Sequence, residues 1–191
     1  MRLSWTTPPA WVEAVLADFD AFLLDHAACE AKAAASAEKL AKLHADKPLL
    51  VEEMRALVDE ELEHYALVRR LLHARGLGDA RTPYYKDAYV AALVRAARHD
   101  PEQVLTDRLL VAAIIEARAC ERLHLVATAL PEGALREHYV ELTRSEARHH
   151  GLFVRLAKTY AAPELVDARL AELLALEARV VASLPIRPAI H

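Results

Sequence analysis

The sequence predicts an all-α protein: a four-helix bundle with one long crossover that carries a short helix, followed by an additional C-terminal helix. Three observations predict it. Helix formers dominate a chain of 191 residues with only 4 glycines, and alternating runs of β-branched residues are missing. Apolar residues return at steps of three and four along four long stretches. Each of those stretches also carries a glutamate where a leucine would otherwise complete the stripe.

The elements follow in order. Thr7-Pro8-Pro9 reads as a helix start, and helical patterning then runs to about Lys42 or Leu43, with a break expected near Asp18 to Asp20. Pro48 opens a second helix that reaches Arg75 and stops at Gly76, a residue suited to the left-handed position after a helix. A turn-rich connection, Gly76 to Pro83, leads to a short helix over Asp87–His99. After Asp100-Pro101 a long helix spans about Glu102–Leu130, Pro131-Glu132-Gly133 breaks it, and another spans about Ala134–Thr159. A last helix follows Pro163 and extends to about Leu184.

A chain of this length buries a core without disulfides, and residues 1–191 are expected to form a single domain. Cys29 and Cys120 lie far apart and form no CxxC pair, which speaks against a thiolate metal site or redox dithiol. Met1 to Pro9 has no apolar run of a signal peptide, and no stretch of 18 apolar residues avoids charge. A soluble, cytoplasmic protein without membrane contact is therefore expected.

The predicted inward stripes place Glu30 between His26 and Ala33 on the first helix, and Glu61 and His64 between Leu57 and Val68 on the second. Glu116 lies between Ala112 and Cys120, and Glu146 and His149 between Leu142 and Phe153. These positions repeat. Glu116 follows Glu30 by 86 residues, and Glu146 and His149 follow Glu61 and His64 by 85. Glu30-Ala31-Lys32-Ala33 also matches Glu116-Ala117-Arg118-Ala119. Two related helical hairpins are implied, each supplying one Glu and one Glu-x-x-His.

Residues three apart on a helix point the same way, so the carboxylate and imidazole of each pair can reach one ion. Four unpaired carboxylates in one core would cost several kcal/mol each, to about that order, or take up protons. Two divalent cations remove the problem, and a set of four carboxylates and two imidazoles suits iron or manganese. Glu30, Glu61, His64, Glu116, Glu146 and His149 are the candidate ligands.

A third pair, Glu121 and His124, lies about 140° round its helix from Glu116, has no repeat partner, and reads as a solvated or interface feature. His26, one turn before Glu30, reads either as a hydrogen-bonded core histidine or as a partner of Glu30. His150 competes with His149 as a ligand, but its repeat equivalent is Tyr65, which favours His149.

The net charge of −4 argues against a nucleic-acid partner until the candidate ligands are set aside. Of 28 acidic residues, four are those ligands, leaving 24 to balance 24 Lys and Arg. From Arg69 to Arg98 the balance is basic: Arg69, Arg70, Arg75, Arg81, Lys86, Arg95 and Arg98 face only Asp79 and Asp87. Arg69, Arg70, Lys86, Arg95 and Arg98 are the candidate nucleic-acid contacts.

Several segments resemble one known family. Thr7-Pro8-Pro9-Ala10-Trp11, Asp25-His26 with Cys29-Glu30, Glu60-Glu61-Leu62-Glu63-His64 and His99-Asp100-Pro101 carry the resemblance. So do Ile115-Glu116-Ala117-Arg118-Ala119-Cys120-Glu121-Arg122 and Arg144-Ser145-Glu146-Ala147-Arg148-His149. Together they resemble the MiaE group of tRNA hydroxylases, which are ferritin-like diiron monooxygenases. The resemblance implies two non-heme iron ions, dioxygen as co-substrate, and hydroxylation of the isopentenyl group of 2-methylthio-N6-isopentenyladenosine in tRNA. It implies no catalytic side chain beyond the metal ligands. Since the chain has no flavin, dinucleotide or iron–sulfur motif, an electron-donating reductase or ferredoxin is implied as well. The ligand set alone would also serve rubrerythrin-like iron oxidation, iron storage or peroxide scavenging, and a non-catalytic helical interaction module is the non-enzyme alternative.

Overall fold

The computed structural model describes residues 2–80 and 87–191. Among these residues it contains seven helices and no strand: α1 (Pro9–Ala17), α2 (Phe19–Leu43), α3 (Pro48–Ala74), α4 (Ala88–Ala96), α5 (Val104–Ala129), α6 (Ala134–Tyr160) and α7 (Pro163–Ser183). The boundaries are set by local chemistry. The expected break before α2 is Asp18, whose carboxylate accepts the Ala21 N–H at 3.0 Å and satisfies one of the free donors at the helix start. Pro48 and Pro163 open α3 and α7, where a missing N–H costs nothing. After α3, Gly76 takes φ 77°, the left-handed conformation that ends a helix at little cost to glycine. Asp87, expected as the first residue of the short helix, is instead its cap, accepting from the N–H groups of Tyr89 and Val90 at 2.9 and 3.2 Å.

The chain divides into two compact units. One holds α2 and α3, packed along each other as a hairpin. Its core is Leu23, Ala27, Val68 and Leu72, against which Phe19, Leu24, Tyr65, Leu71 and Leu77 pack. The pattern of three and four thus brings one face of α2 onto one face of α3.

The other unit contains the α5–α6 hairpin, with α4 and α7 packed on it. Leu109, Leu123, Tyr139, Leu142, Phe153 and Leu156 are buried here, as the sequence stripes require. Two ionic ties fasten the added elements. Buried Asp107 on α5 receives Arg98 after α4 at 2.6 Å and Arg169 of α7 at 2.8 Å. Burial alone would raise the Asp107 carboxyl, but the hydrogen bonds from Arg98 and Arg169 bring it below its ordinary value. No helix among the described residues is long and apolar enough to cross a membrane.

Candidate metal centre

In the α2–α3 hairpin, Glu30 comes from α2 and Glu61 and His64 from α3, and one donor atom of each lies within 4.8 Å of the others. In the α5–α6 hairpin, Glu116 of α5 and Glu146 and His149 of α6 form a second trio within the same 4.8 Å. The two Glu-x-x-His pairs have the same local geometry. His64 Nδ1 lies 3.4 Å from Glu61 Oε2, and His149 Nδ1 lies 3.3 Å from Glu146 Oε2. Two donors each about 2.1 Å from one ion, set near right angles, stand about 3 Å apart, so each pair presents its atoms as a chelate would.

Burial separates these groups from ordinary surface acids. Glu61 is 0% exposed, Glu146 2% and Glu30 5%. Glu116 and His149 are also buried, and His64 is half-buried. Carboxylates at such positions are stable as anions only with compensating positive charge. The donor set, two carboxylates and one imidazole per hairpin, therefore fits a divalent transition metal with a preference for oxygen and nitrogen ligands.

Neighbouring groups sort into supporting and unrelated ones. His26 is buried, and its Nε2 lies 2.6 Å from Glu30 Oε1, so the histidine left open by sequence is a partner of a candidate ligand. His149 Nε2 faces Ser145 Oγ at 3.4 Å, and Arg148 donates to the same hydroxyl at 3.0 Å. His150, the competitor of His149, is half-buried and joins neither trio; burial holds its imidazole below the ordinary histidine range. Burial, and then the charge of Glu146, push the Cys120 thiol up, so that it stays protonated near neutrality.

The third Glu-x-x-His pair divides. Glu121 is only partly exposed. It accepts from the Thr7 N–H at 2.8 Å, from Thr7 Oγ1 at 2.7 Å and from Arg118 at 2.6 Å, while His124 is exposed. Arg118 is the centre of a buried network that sequence patterning did not reveal. It also donates to Glu177 of α7 at 2.8 Å and to the Trp5 carbonyl at 3.0 Å, and Glu177 accepts from the Tyr89 hydroxyl at 3.2 Å. Burial would lower the Arg118 guanidinium, but Glu177 and Glu121 hold it above its usual value. Arg122 lies over the Trp11 ring, and burial, with the nearby Arg118 charge, brings it down to about 10. The signal available was weak: arginines at 118 and 122 on the buried side of a helix, with glutamates far along the chain.

The candidate nucleic-acid contacts divide. Arg69 donates to the carbonyls of Gly78 and Ala80, fastening the segment after α3, and Arg98 is engaged by Asp107. Arg70 and Arg95 are exposed. Lys86 and Arg81 lie outside the described residues.

Comparison with known proteins fits this site. Over its full length the chain resembles a solved structure titled "Protein 43 with aldehyde deformylating oxygenase activity from Synechococcus", with a TM-score of 0.91 and 37% identity, covering 96% of that chain. The fold is accordingly a ferritin-like four-helix bundle of the oxygenase kind, and the protein is an enzyme. A protein of Pseudomonas putida named tRNA 2-(methylsulfanyl)-N(6)-isopentenyladenosine(37) hydroxylase is 40% identical over 159 residues, 83% of this chain and 76% of its own length. A protein of the same name from Salmonella typhimurium is 36% identical over 119 residues, 61% of this chain and 42% of that longer relative. Residues 2–191 match the family described as tRNA-(MS2IO6A)-hydroxylase (MiaE). With the family match running through both hairpins and all six candidate ligands, the chain belongs to the MiaE family.

Proposed function

We propose that the chain is a diiron tRNA hydroxylase of the cytoplasm, in which Glu30, Glu61, His64, Glu116, Glu146 and His149 together hold two iron ions. One observation carries the reading: each hairpin presents the same trio, two buried carboxylates and one imidazole, within 4.8 Å. Four carboxylate charges then meet the four positive charges of two ferrous ions, which neutralises the core. Because each trio belongs to one hairpin, residues 1–191 act as one functional domain, neither half being complete alone.

When bound, the iron pair would supply the electron and dioxygen chemistry that breaks a C–H bond of the isopentenyl group. The overall change is balanced by outside reactants. A C–H of the isopentenyl group becomes C–OH, one oxygen atom of dioxygen enters the product, and the other leaves as water with two protons and two electrons. An electron-donating reductase or ferredoxin supplies those electrons, since the chain carries no motif for a carrier of its own. The protein's residues bind and orient. The three-residue spacing aims carboxylate and imidazole at one ion, His26 holds Glu30, and the buried apolar side chains beside the trios keep bulk water out.

The substrate assignment is supported by the relatives' names and the family match, and the test is direct. Chromatography of nucleosides from tRNA of cells with and without this protein should give the hydroxylated isopentenyladenosine only in its presence. Identical nucleoside profiles would overturn the assignment. The solved structure's title favours a second reading, aldehyde deformylation. Incubating the reduced, iron-loaded protein with a long-chain aldehyde distinguishes the two, since only deformylation releases a hydrocarbon.

A further inference from the structure

The segment from Arg144 to His149 on α6 carries two candidate ligands and two polar residues that the metal-binding set does not use, Ser145 and Arg148. Ser145 lies one turn before His149 and is only 3% exposed. Its Oγ stands 3.4 Å from His149 Nε2, and Arg148 donates to the same oxygen at 3.0 Å. The other ring nitrogen, Nδ1, lies 3.3 Å from Glu146 Oε2, the carboxylate of the same chelating pair. The imidazole thus has one nitrogen beside a candidate ligand and the other beside a hydroxyl.

From this we infer that Ser145, steadied by Arg148, is a positioning residue that presents His149 Nδ1 to the metal, and the inference rests on the diiron reading above. A neutral imidazole carries one proton, and only its bare nitrogen binds a metal. With Nδ1 bare, the proton sits on Nε2, and that N–H donates to Ser145 Oγ. A guanidinium only donates, so Arg148 occupies one lone pair of Oγ, fixes the rotation of the hydroxyl and leaves the other lone pair for His149. The bond sets both the tautomer and the angle of the ring, and makes Nδ1 the better ligand. The repeat agrees. At the offset of 85 residues Glu60 stands where Ser145 does, so both hairpins carry an oxygen acceptor one turn before their candidate histidine.

Co(II) serves as the probe, because its visible absorption counts the ions bound and no turnover is involved. The metal-stripped full chain is titrated at fixed pH. Proton NMR of the loaded protein then follows the N–H signals of the ligating imidazoles, which Co(II) shifts strongly and which exchange with solvent. The wild-type protein should bind two equivalents and show two such signals; fewer than two equivalents would overturn the diiron reading, and this inference with it. Ser145→Ala removes the hydroxyl without enlarging the side chain. It should weaken one ion about 10- to 100-fold and shift one N–H signal, leaving the other ion and signal in place. Ser145→Thr restores a hydroxyl and should recover both. Arg148→Met should weaken the same ion but add little in the Ser145→Ala background, because it acts through that oxygen. Urea unfolding of the metal-free variants, compared with wild type, separates a positioning role from a packing role. Unchanged affinity and signals in Ser145→Ala, two equally weakened ions, or no recovery in Ser145→Thr at a wild-type unfolding midpoint would overturn the inference while leaving two metals per chain.

Discussion

Each of the six candidate ligands occupies a place where an aliphatic side chain would stabilise the fold more, so metal content is the property that tests the proposal. Glu61→Ala and Glu146→Ala should each reduce bound iron well below two per chain, by elemental analysis of purified protein. Glu121→Ala should leave iron unchanged and lower stability by about 1–3 kcal/mol, because it strips the Thr7 N–H and the buried Arg118 guanidinium of an acceptor. Full iron in the first two variants, or lost iron in the third, would break the assignment. The six candidate ligands stand out in the sequence because a glutamate on an apolar stripe is improbable once, and four such glutamates in duplicated order are far less probable. Glu121 was not legible. Its periodicity shows which way it faces, but Thr7 lies 114 residues away, and spacing cannot say which distant group will meet an outward-facing side chain.

Helix ends are where local chemistry decides structure, and a glycine just after α3 contrasts with one in the interior of α6. Gly76 has φ 77° with open space around it, so Gly76→Ala should cost about 1 kcal/mol purely through the backbone. Gly151 is inside α6, and a Cβ there meets only the end of Arg155, a flexible side chain, at 3.4 Å. Gly151→Ala should therefore stabilise by about 0.5–1 kcal/mol, giving unfolding midpoints on either side of wild type in urea. The cap of α4 adds a pH dependence. Burial would raise the Asp87 carboxyl, but His191, with the N–H groups of Val90 and Tyr89, brings it down to about 2. A depressed carboxylate contributes stability that is complete above the unfolded value, near 4, and is lost as pH falls through about 2. Asp87→Ala should thus cost about 2 kcal/mol more at pH 6 than at pH 2, and equal losses at both would refute the assignment. The helix boundaries at Asp18, Pro48, Gly76 and Pro163 were readable to within a few residues because these residues act on their own neighbours. The Arg118 and Asp107 ties were not, since each joins elements from remote parts of the chain.

At the scale of the whole molecule the question is how a chain of net charge −4 meets a polyanion. Four of its acids are assigned to metal, which leaves the remaining charges in balance and lets local distribution decide. The segment from Arg69 to Arg98 is the basic one, yet its arginines differ in what they are free to do. Arg69 holds two backbone carbonyls and Arg98 pairs with buried Asp107, so replacing either should first reduce stability, by about 1–3 kcal/mol. Among the described residues of this set, Arg70 and Arg95 are the exposed candidates for meeting phosphates. Each phosphate neutralised releases counterions, so the logarithm of affinity falls with the logarithm of salt by about 0.7–0.9 per contact. The Arg70→Ala, Arg95→Ala double variant should bind tRNA more weakly, with a salt slope flatter by about 1.5, at unchanged iron content and unchanged unfolding midpoint. Filter binding over a series of salt concentrations measures this, with Arg69→Ala as the comparison that loses stability instead. An unchanged slope in the double variant would place the tRNA surface elsewhere on the molecule.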